Sequence, residues 1–289
     1  VTWDETIAWL LLAGGGFVAG GLGGLLGIGG GIVLMPLLRF GIGLSPPYAA
    51  GTCILGVFFT TLGGSYRHYR LGHVRVRAVA PVIVAGAVAT LVCSLLFVYL
   101  AHSERWLDLG IGLVFGLVSL RMLLESLCGP GEPAALSTTA TVSSATPAGA
   151  ASSVAPGAGS SELHMVGGWP RKLSIGISAG ILPGLLGIGT GGILVPAFTY
   201  LLRMPIKLAM AASLTCFCFN ALISATAKLA QGYVDLAVAL PICAGALVGA
   251  NVGAVLNRRF PSRTVKLLFG LLFTYVSLKF IVSYFGVKA

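Results

Sequence analysis

An apolar, glycine-rich stretch occurs twice in this chain and limits the fold more than any other feature. Residues 24–36 read Gly-Leu-Leu-Gly-Ile-Gly-Gly-Gly-Ile-Val-Leu-Met-Pro, and residues 184–196 read Gly-Leu-Leu-Gly-Ile-Gly-Thr-Gly-Gly-Ile-Leu-Val-Pro. Nine of the thirteen positions are identical at an offset of 160. Each glycine costs a helix about 1 kcal/mol relative to alanine, so neither copy holds a plain helix well. Both copies lie inside long apolar runs, Ile7–Phe40 and Leu173–Leu202.

Other apolar spans surround these two. They are predicted at Pro47–Ser65, Val76–Leu100 and Trp106–Leu127, and again at Ile206–Ala227, Leu236–Leu256 and Val265–Phe285. Spans of this length recur in membrane helices. Only 9% of residues are charged and mean hydropathy is +0.97, whereas a soluble domain carries about 25% charged residues. The expected fold class is therefore an all-α polytopic membrane protein, with the lipid bilayer as its surroundings and the plasma membrane as its expected location. Residues 129–168, mostly Ala, Ser, Thr, Gly and Pro, lack the bulky groups needed to fold and read as a disordered linker. This divides the chain into membrane repeats at residues 1–128 and 169–289. Gly72 and Gly232, Pro81 and Pro241, and Gly110 and Gly270 keep the same offset, which marks an internal duplication.

Charge sets the orientation of the two repeats. The loop Arg67–Arg77 holds four arginines and no acid, while its counterpart Ala227–Ala237 holds Lys228 and Asp235 and sums to zero. The next turn reverses this: Phe97–Asp108 sums to −1, and Asn257–Leu268 to +4. Short basic loops stay in the cytoplasm, so equivalent loops are expected on opposite faces and the repeats are expected to be inverted. Inversion needs an odd number of crossings per half. Each repeat is then a Gly-broken hairpin of unequal limbs, re-entrant or fully crossing, followed by three transmembrane helices. The linker is expected in the cytoplasm and both termini outside, where Arg39 also falls against the charge rule. No secretory signal is expected, because the first apolar run follows Asp4 and Glu5 and not a basic segment.

Two Gly-interrupted segments at corresponding positions of two halves point to a binding site near the middle of the bilayer. Loosened backbone at that depth must be satisfied by protein or line a water-filled cavity. If the short limbs beyond the breaks are helical, their first amides face the break and favour an anion. The candidate binding residues are Gly27, Gly29, Gly30, Gly31, Gly187, Gly189, Thr190 and Gly191. The neighbouring spans add Thr52, Cys53, Ser213 and Asn220, whose hydroxyl, thiol and amide groups suit an oxyanion. Of eight acids, only Glu125 is read near a span, four positions after Arg121. The buried carboxylates typical of cation pathways are not expected. Lys279 is expected to snorkel to the interface.

Several function classes are set aside. His68, His73, His102 and His164 read as loop or linker residues, so no metal cluster can be drawn. Gly29–Gly31 is not followed by Lys-Ser/Thr, so it is not a phosphate-binding loop. No catalytic, cofactor or metal signature is found, and the +10 net charge forms no basic stripe for nucleic acid. The six cysteines show no CxxC spacing and read as small residues packed between helices.

The duplicated glycine stretch ending in proline, with four apolar segments per half, resembles the sulfite exporter TauE/SafE family of membrane permeases. The resemblance covers both halves. It implies a permease for small sulfur-containing anions such as sulfite, sulfonates or thiosulfate, with some members moving other organic anions. The long linker and Thr190 in place of a glycine are departures. A cysteine relay of the kind found in a related thiosulfate group is not matched, because Cys53 and Cys216 lack equivalent partners. The expectation is a secondary transporter coupled to a proton or cation gradient. The alternatives are an anion channel of the same fold, a transporter of a non-sulfur organic anion, and a membrane scaffold whose glycines only pack helices.

Overall fold

The structure is a computed structural model and describes residues 3–26, 29–70, 76–127, 169–202, 206–256 and 262–284. These residues form α-helices and two π-helical turns, with no strand among them. The first half comprises α1 (Trp3–Leu26), α2 (Gly31–Pro36), α3 (Pro46–Arg70), α4 (Val76–Ala101) and α5 (Glu104–Leu127). The second comprises α6 (Trp169–Leu186), α7 (Gly191–Pro196), α8 (Ile206–Ala230), α9 (Leu236–Leu256) and α10 (Ser262–Tyr284). The bounds of α2 and α3 recur in α7 and α8 at an offset of 160. Within the described residues, stretches of α1, α3, α4, α8 and α9 are long and apolar enough to cross a membrane.

A proline ends each short helix, and a π-helical turn follows, Leu37–Gly41 and Ala197–Leu201. Proline has no N–H to donate and its ring crowds the preceding turn. The ladder widens in response: Ile42 N–H reaches back five residues to Leu37 O, at 3.0 Å.

Helices α3 and α8 form the centre. Two thirds of each span, 67%, is buried, against 28% for α1 and α4. The outer helices turn Leu10, Val88, Leu95, Leu117, Leu240 and Leu278 outward, where a bilayer would cover them.

Most helical glycines are explained by close packing. Gly16, Gly20 and Gly24 of α1 face the carbonyls of Ile242, Ala246 and Ala250, while Gly245, Gly249 and Gly253 of α9 face those of Ala13, Phe17 and Gly21. A spacing of four keeps one helix face in contact, and small residues let the backbones approach. The contacts advance together, so α1 and α9 run parallel. Helices α4 and α6 pair in the same way through Gly176, Gly180 and Gly184. Helix α3 instead runs antiparallel to α8: Ser65 Oγ lies 3.1 Å from Thr215 Oγ1, and Thr52 Oγ1 accepts from Asp235 N–H at 3.1 Å. Helices α5 and α10 are antiparallel too, through Ser119 Oγ to Gly270 O and Ser277 Oγ to Gly112 O, both 2.8 Å.

Several charged and polar residues sit differently from the sequence expectation. Lys228 is not a loop charge; α8 continues through it and buries it fully. Asp235 is then the only charge left after α8 in that segment. His68 lies on α3, which extends past Ser65 to Arg70. Asp108 is a buried carboxylate inside α5. The 129–168 segment, Cys128, His73 and His164 lie outside the described residues.

Candidate functional site

Each half reverses direction at its glycines. Gly29 has φ +85°, Gly30 φ +71° and Gly187 φ +67°, in the left-handed region where a Cβ is penalised. Gly27 lies outside the described residues. Gly31 N–H donates to Gly29 O at 2.9 Å, and the amides of Val33 and Leu34 both donate to Gly30 O at 3.1 Å. The expected row of unpaired amides at the start of α2 is therefore largely engaged within the turn itself. In the second half, Leu194 N–H donates to Thr190 O at 2.9 Å.

The two breaks touch. A methyl added at Gly31 would lie 2.8 Å from Gly189 N and 2.7 Å from Val57 Cγ2. Each break is also pressed by the central helix of the other half. A methyl at Gly29 would lie 2.6 Å from the Phe217 ring of α8, and one at Gly187 would collide with Ala50 O of α3. Gly29, Gly30, Gly31, Gly187, Gly189, Thr190 and Gly191 are all buried. The two breaks, far apart in sequence, thus meet at one point between α3 and α8.

The polar candidates divide into engaged and unengaged groups. Cys53 Sγ contacts Gly31 O at 3.5 Å, and Thr52 holds Asp235. Thr60 and Thr61 return their hydroxyls to carbonyls of their own helix. Thr190 Oγ1, Ser213 Oγ and Asn220 Oδ1, however, are buried and have no hydrogen-bond partner. Leaving such an atom unsatisfied costs about 1–3 kcal/mol, so three together call for an occupant or water. Thr190 adjoins the contact itself. Ser213 holds on α8 the position that Cys53 holds on α3. Asn220 sits further off, against α4, where a methyl at Gly86 would lie 2.8 Å from its Nδ2.

Two charged features escaped the sequence reading. Arg39, at the end of the first hairpin, makes a forked ion pair with Asp108: Nη2 to Oδ2 at 2.8 Å and Nε to Oδ1 at 3.2 Å. Ser283 Oγ donates to the same carboxylate at 3.0 Å. The hairpin is thereby tied to α5 and α10, which explains an arginine that had run against the charge rule. Lys279 is half-buried with its Nζ 4.9 Å from the Phe40 ring centroid, against the end of the first hairpin. Lys228 is the second feature. Its signal was present in sequence: it is a lone cation followed by Leu229 and Ala230, without the clustering that marks a loop.

The chain has relatives among known proteins. The family model described as sulfite exporter TauE/SafE matches residues 12–280. A probable membrane transporter protein of Bacillus subtilis, YunE, is 24% identical over 91% of this chain and 93% of its own. A probable membrane transporter protein of Xylella fastidiosa is 26% identical over 93% of each chain, and one of Haemophilus influenzae is 25% identical over 91% of this chain. No solved structure matches the chain.

Proposed function

The chain belongs to the sulfite exporter TauE/SafE family, and from that premise we propose that it is a secondary transporter for a small sulfur-containing anion such as sulfite, a sulfonate or thiosulfate. The relatives are named as membrane transporters and not as enzymes, in keeping with a protein that moves its substrate unchanged. The observation that carries the reading is the contact between Gly31 and Gly189. Two broken segments adjoin at a buried point, and Thr190, next to it in sequence, and Ser213, on the central helix α8, carry buried hydroxyls with no partner. Each hydroxyl has a proton to donate, and hydrogen bonds to an ionised oxygen are about twice as strong as neutral ones.

The transport frame we propose is a pair of inverted repeats, residues 1–128 and 169–289, joined by a cytoplasmic linker at 129–168. Three observations support it: the recurrence of element bounds at an offset of 160, the antiparallel contacts of α3 with α8 and of α5 with α10, and the alternating loop charge. Helix α2 and its π-turn total eleven residues, about 16 Å at helical rise. The hydrocarbon core is about 30 Å thick, so the hairpin re-enters and does not cross. Alternating access then rocks one half against the other around the meeting point, with a proton or cation gradient as the drive.

The test is flux in proteoliposomes of the plasma-membrane type. Saturable uptake of sulfite, thiosulfate or a sulfonate, with counterflow, is the expected result. Conductance without saturation favours the channel, and uptake of a carboxylate alone favours a non-sulfur substrate. Failure of every anion under both a proton gradient and a potential removes the reading.

A further inference from the structure

We propose that Lys228 supplies the positive charge of the anion site, in a patch between α4 and α8 where Ser94 is the second donor. The proposal deepens the transport reading and rests on it. Lys228 is fully buried in the last turn of α8. An ionisable residue buried in a spanning helix is costly to keep and marks a substrate or ion path by default.

The groups around it leave the charge unbalanced. An ammonium has three donors and no acceptor. One donor reaches Pro183 O in the last turn of α6, at 3.3 Å. That carbonyl is already served by Ser224 Oγ at the shorter distance of 2.7 Å, so the lysine is not needed as its cap. The face of Phe97 lies 4.2 Å from Nζ and stabilises a cation without neutralising it. Cys53, from α3, contributes a thiol. The acid closest in sequence, Asp235, spends Oδ1 on the amides of Ala237 and Val238 at the start of α9. Among the described residues the one carboxylate in a salt bridge is Asp108, whose partner is Arg39.

A second observation points to the same place. Ser94 Oγ and Gln231 Oε1 are buried without hydrogen-bond partners. Gln231 Nε2 donates to Ser94 O at 2.8 Å. Ser94 and Phe97 are three apart on α4 and share a helix face; Gln231 lies in the turn just past the end of α8, its amide donating to Ala227 O at 3.0 Å. A cation with spare donors and a hydroxyl with no partner therefore belong to the same α4–α8 contact, through Phe97 and Gln231. A singly or doubly charged oxyanion completes both. The position is also joined to the breaks. Pro183 O belongs to the turn that leads into Gly187, and Cys53 reaches Gly31 O at 3.5 Å.

The experiment uses the full chain in detergent and in proteoliposomes, with Lys228→Gln, Lys228→Arg and Ser94→Ala. Sodium sulfite, thiosulfate and methanesulfonate are the probes, with chloride, nitrate and formate as a second panel. Thermal midpoint, half-saturating concentration and maximal flux are read separately. Sulfite is expected to raise the midpoint of the wild type. Lys228→Gln loses that rise and increases the half-saturating concentration about tenfold or more, the loss of one charged hydrogen bond. Lys228→Arg keeps part of the binding. Ser94→Ala leaves the ligand-free midpoint unchanged and raises half-saturation severalfold.

Wild-type half-saturation in Lys228→Gln overturns the proposal. So does a loss of stability restored by arginine with half-saturation unchanged, which marks a structural lysine. If Lys228→Gln does not fold, Ser94→Ala decides, and wild-type half-saturation there overturns the proposal. A wild type that moves no sulfur anion, yet is stabilised by the second panel only while Lys228 is present, removes the sulfur reading and keeps the lysine. No stabilisation by any anion removes the lysine as well.

Discussion

Replacing Gly31 by alanine tests the contact between the two breaks directly. Gly31 is the first residue of α2 and its φ is not in the left-handed region, so a side chain there meets a shortage of space and no backbone strain. The added methyl would lie 2.7 Å from Val57 Cγ2 and 2.8 Å from Gly189 N. Valine is stiff about χ1, and the amide can yield only if the second break moves. Overpacking of this kind costs about 1–3 kcal/mol, from which alanine recovers about 0.5–1 kcal/mol over glycine in a helix. The net cost is about 0–2.5 kcal/mol, centred a little above 1 kcal/mol. Two other glycines isolate the terms. Gly14 has nothing within 4 Å of an added methyl and lies mid-helix, so Gly14→Ala keeps only the gain of about 0.5–1 kcal/mol. Gly43 also has open space but φ +81°, so Gly43→Ala carries only left-handed strain of about 1–2 kcal/mol. Thermal unfolding in detergent and flux in proteoliposomes read the series. Gly43→Ala and Gly31→Ala are expected to lose similar stability. Only Gly31→Ala loses transport, about tenfold or more, since a site built on direct contact tolerates little displacement. A Gly31→Ala protein as stable and active as Gly14→Ala would mean that the breaks do not touch.

Three further outcomes follow from the same geometry. Arg39→Gln strands Asp108, whose side chain is 5% exposed, and is expected to cost about 3 kcal/mol, the low end for a broken buried pair; the Arg39→Met, Asp108→Leu double variant recovers most of it in a thermal double-mutant cycle, and a simple sum of the two single losses would refute the pairing. Thr190→Val and Ser213→Ala remove hydroxyls that have no partner, so the ligand-free protein keeps its thermal midpoint while the half-saturating concentration rises severalfold; lower midpoints with unchanged transport would show that both are structural. Cysteines introduced as Arg70→Cys and Tyr233→Cys in a cysteine-depleted chain are expected to react with an impermeant thiol reagent from opposite sides of the membrane, and reaction from one side would end the inverted-repeat proposal.

The reversals at the glycines were legible because left-handed backbone at Gly29, Gly30 and Gly187 admits little else. Helix α9 matched its predicted bounds, Leu236–Leu256, because its apolar run ends where charges begin. Helices α3 and α8 ran past their predicted ends for a related reason. A hydrophobic run is read as ending at the first polar cluster, but a helix continues until its backbone is interrupted. Nothing interrupts Tyr66–Arg70, and Lys228 has an internal acceptor in Pro183 O. The contact of Gly31 with Gly189 and the pair Arg39–Asp108 were not legible. They join residues remote in sequence, and neither periodicity nor charge counting carries a distance between segments. The parallel pairing of α1 with α9 left a trace in Gly16, Gly20, Gly24 and Gly245, Gly249, Gly253, but a four-residue glycine spacing names no partner.

The duplicated backbone carries unduplicated chemistry. At an offset of 160, Arg39 corresponds to Thr199, Asp108 to Leu268, Lys228 to His68, Cys53 to Ser213 and Gly30 to Thr190. The first hairpin is therefore clamped by an ion pair, whereas Thr199 only returns its hydroxyl to Val195 O at 2.9 Å. The buried cation belongs to the second half, beside the end of α6. A conformational change that exchanges the roles of two halves needs nearly equal backbones, and the matching bounds of α2, α3, α7 and α8 provide them. A substrate that is itself charged and asymmetric gains nothing from equal side chains. On this reading the anion sits off the line relating the halves, nearer the second break. Among the described residues the second hairpin has no counterpart of the Arg39–Asp108 pair, and on this reading it is the limb with less to break when the site opens.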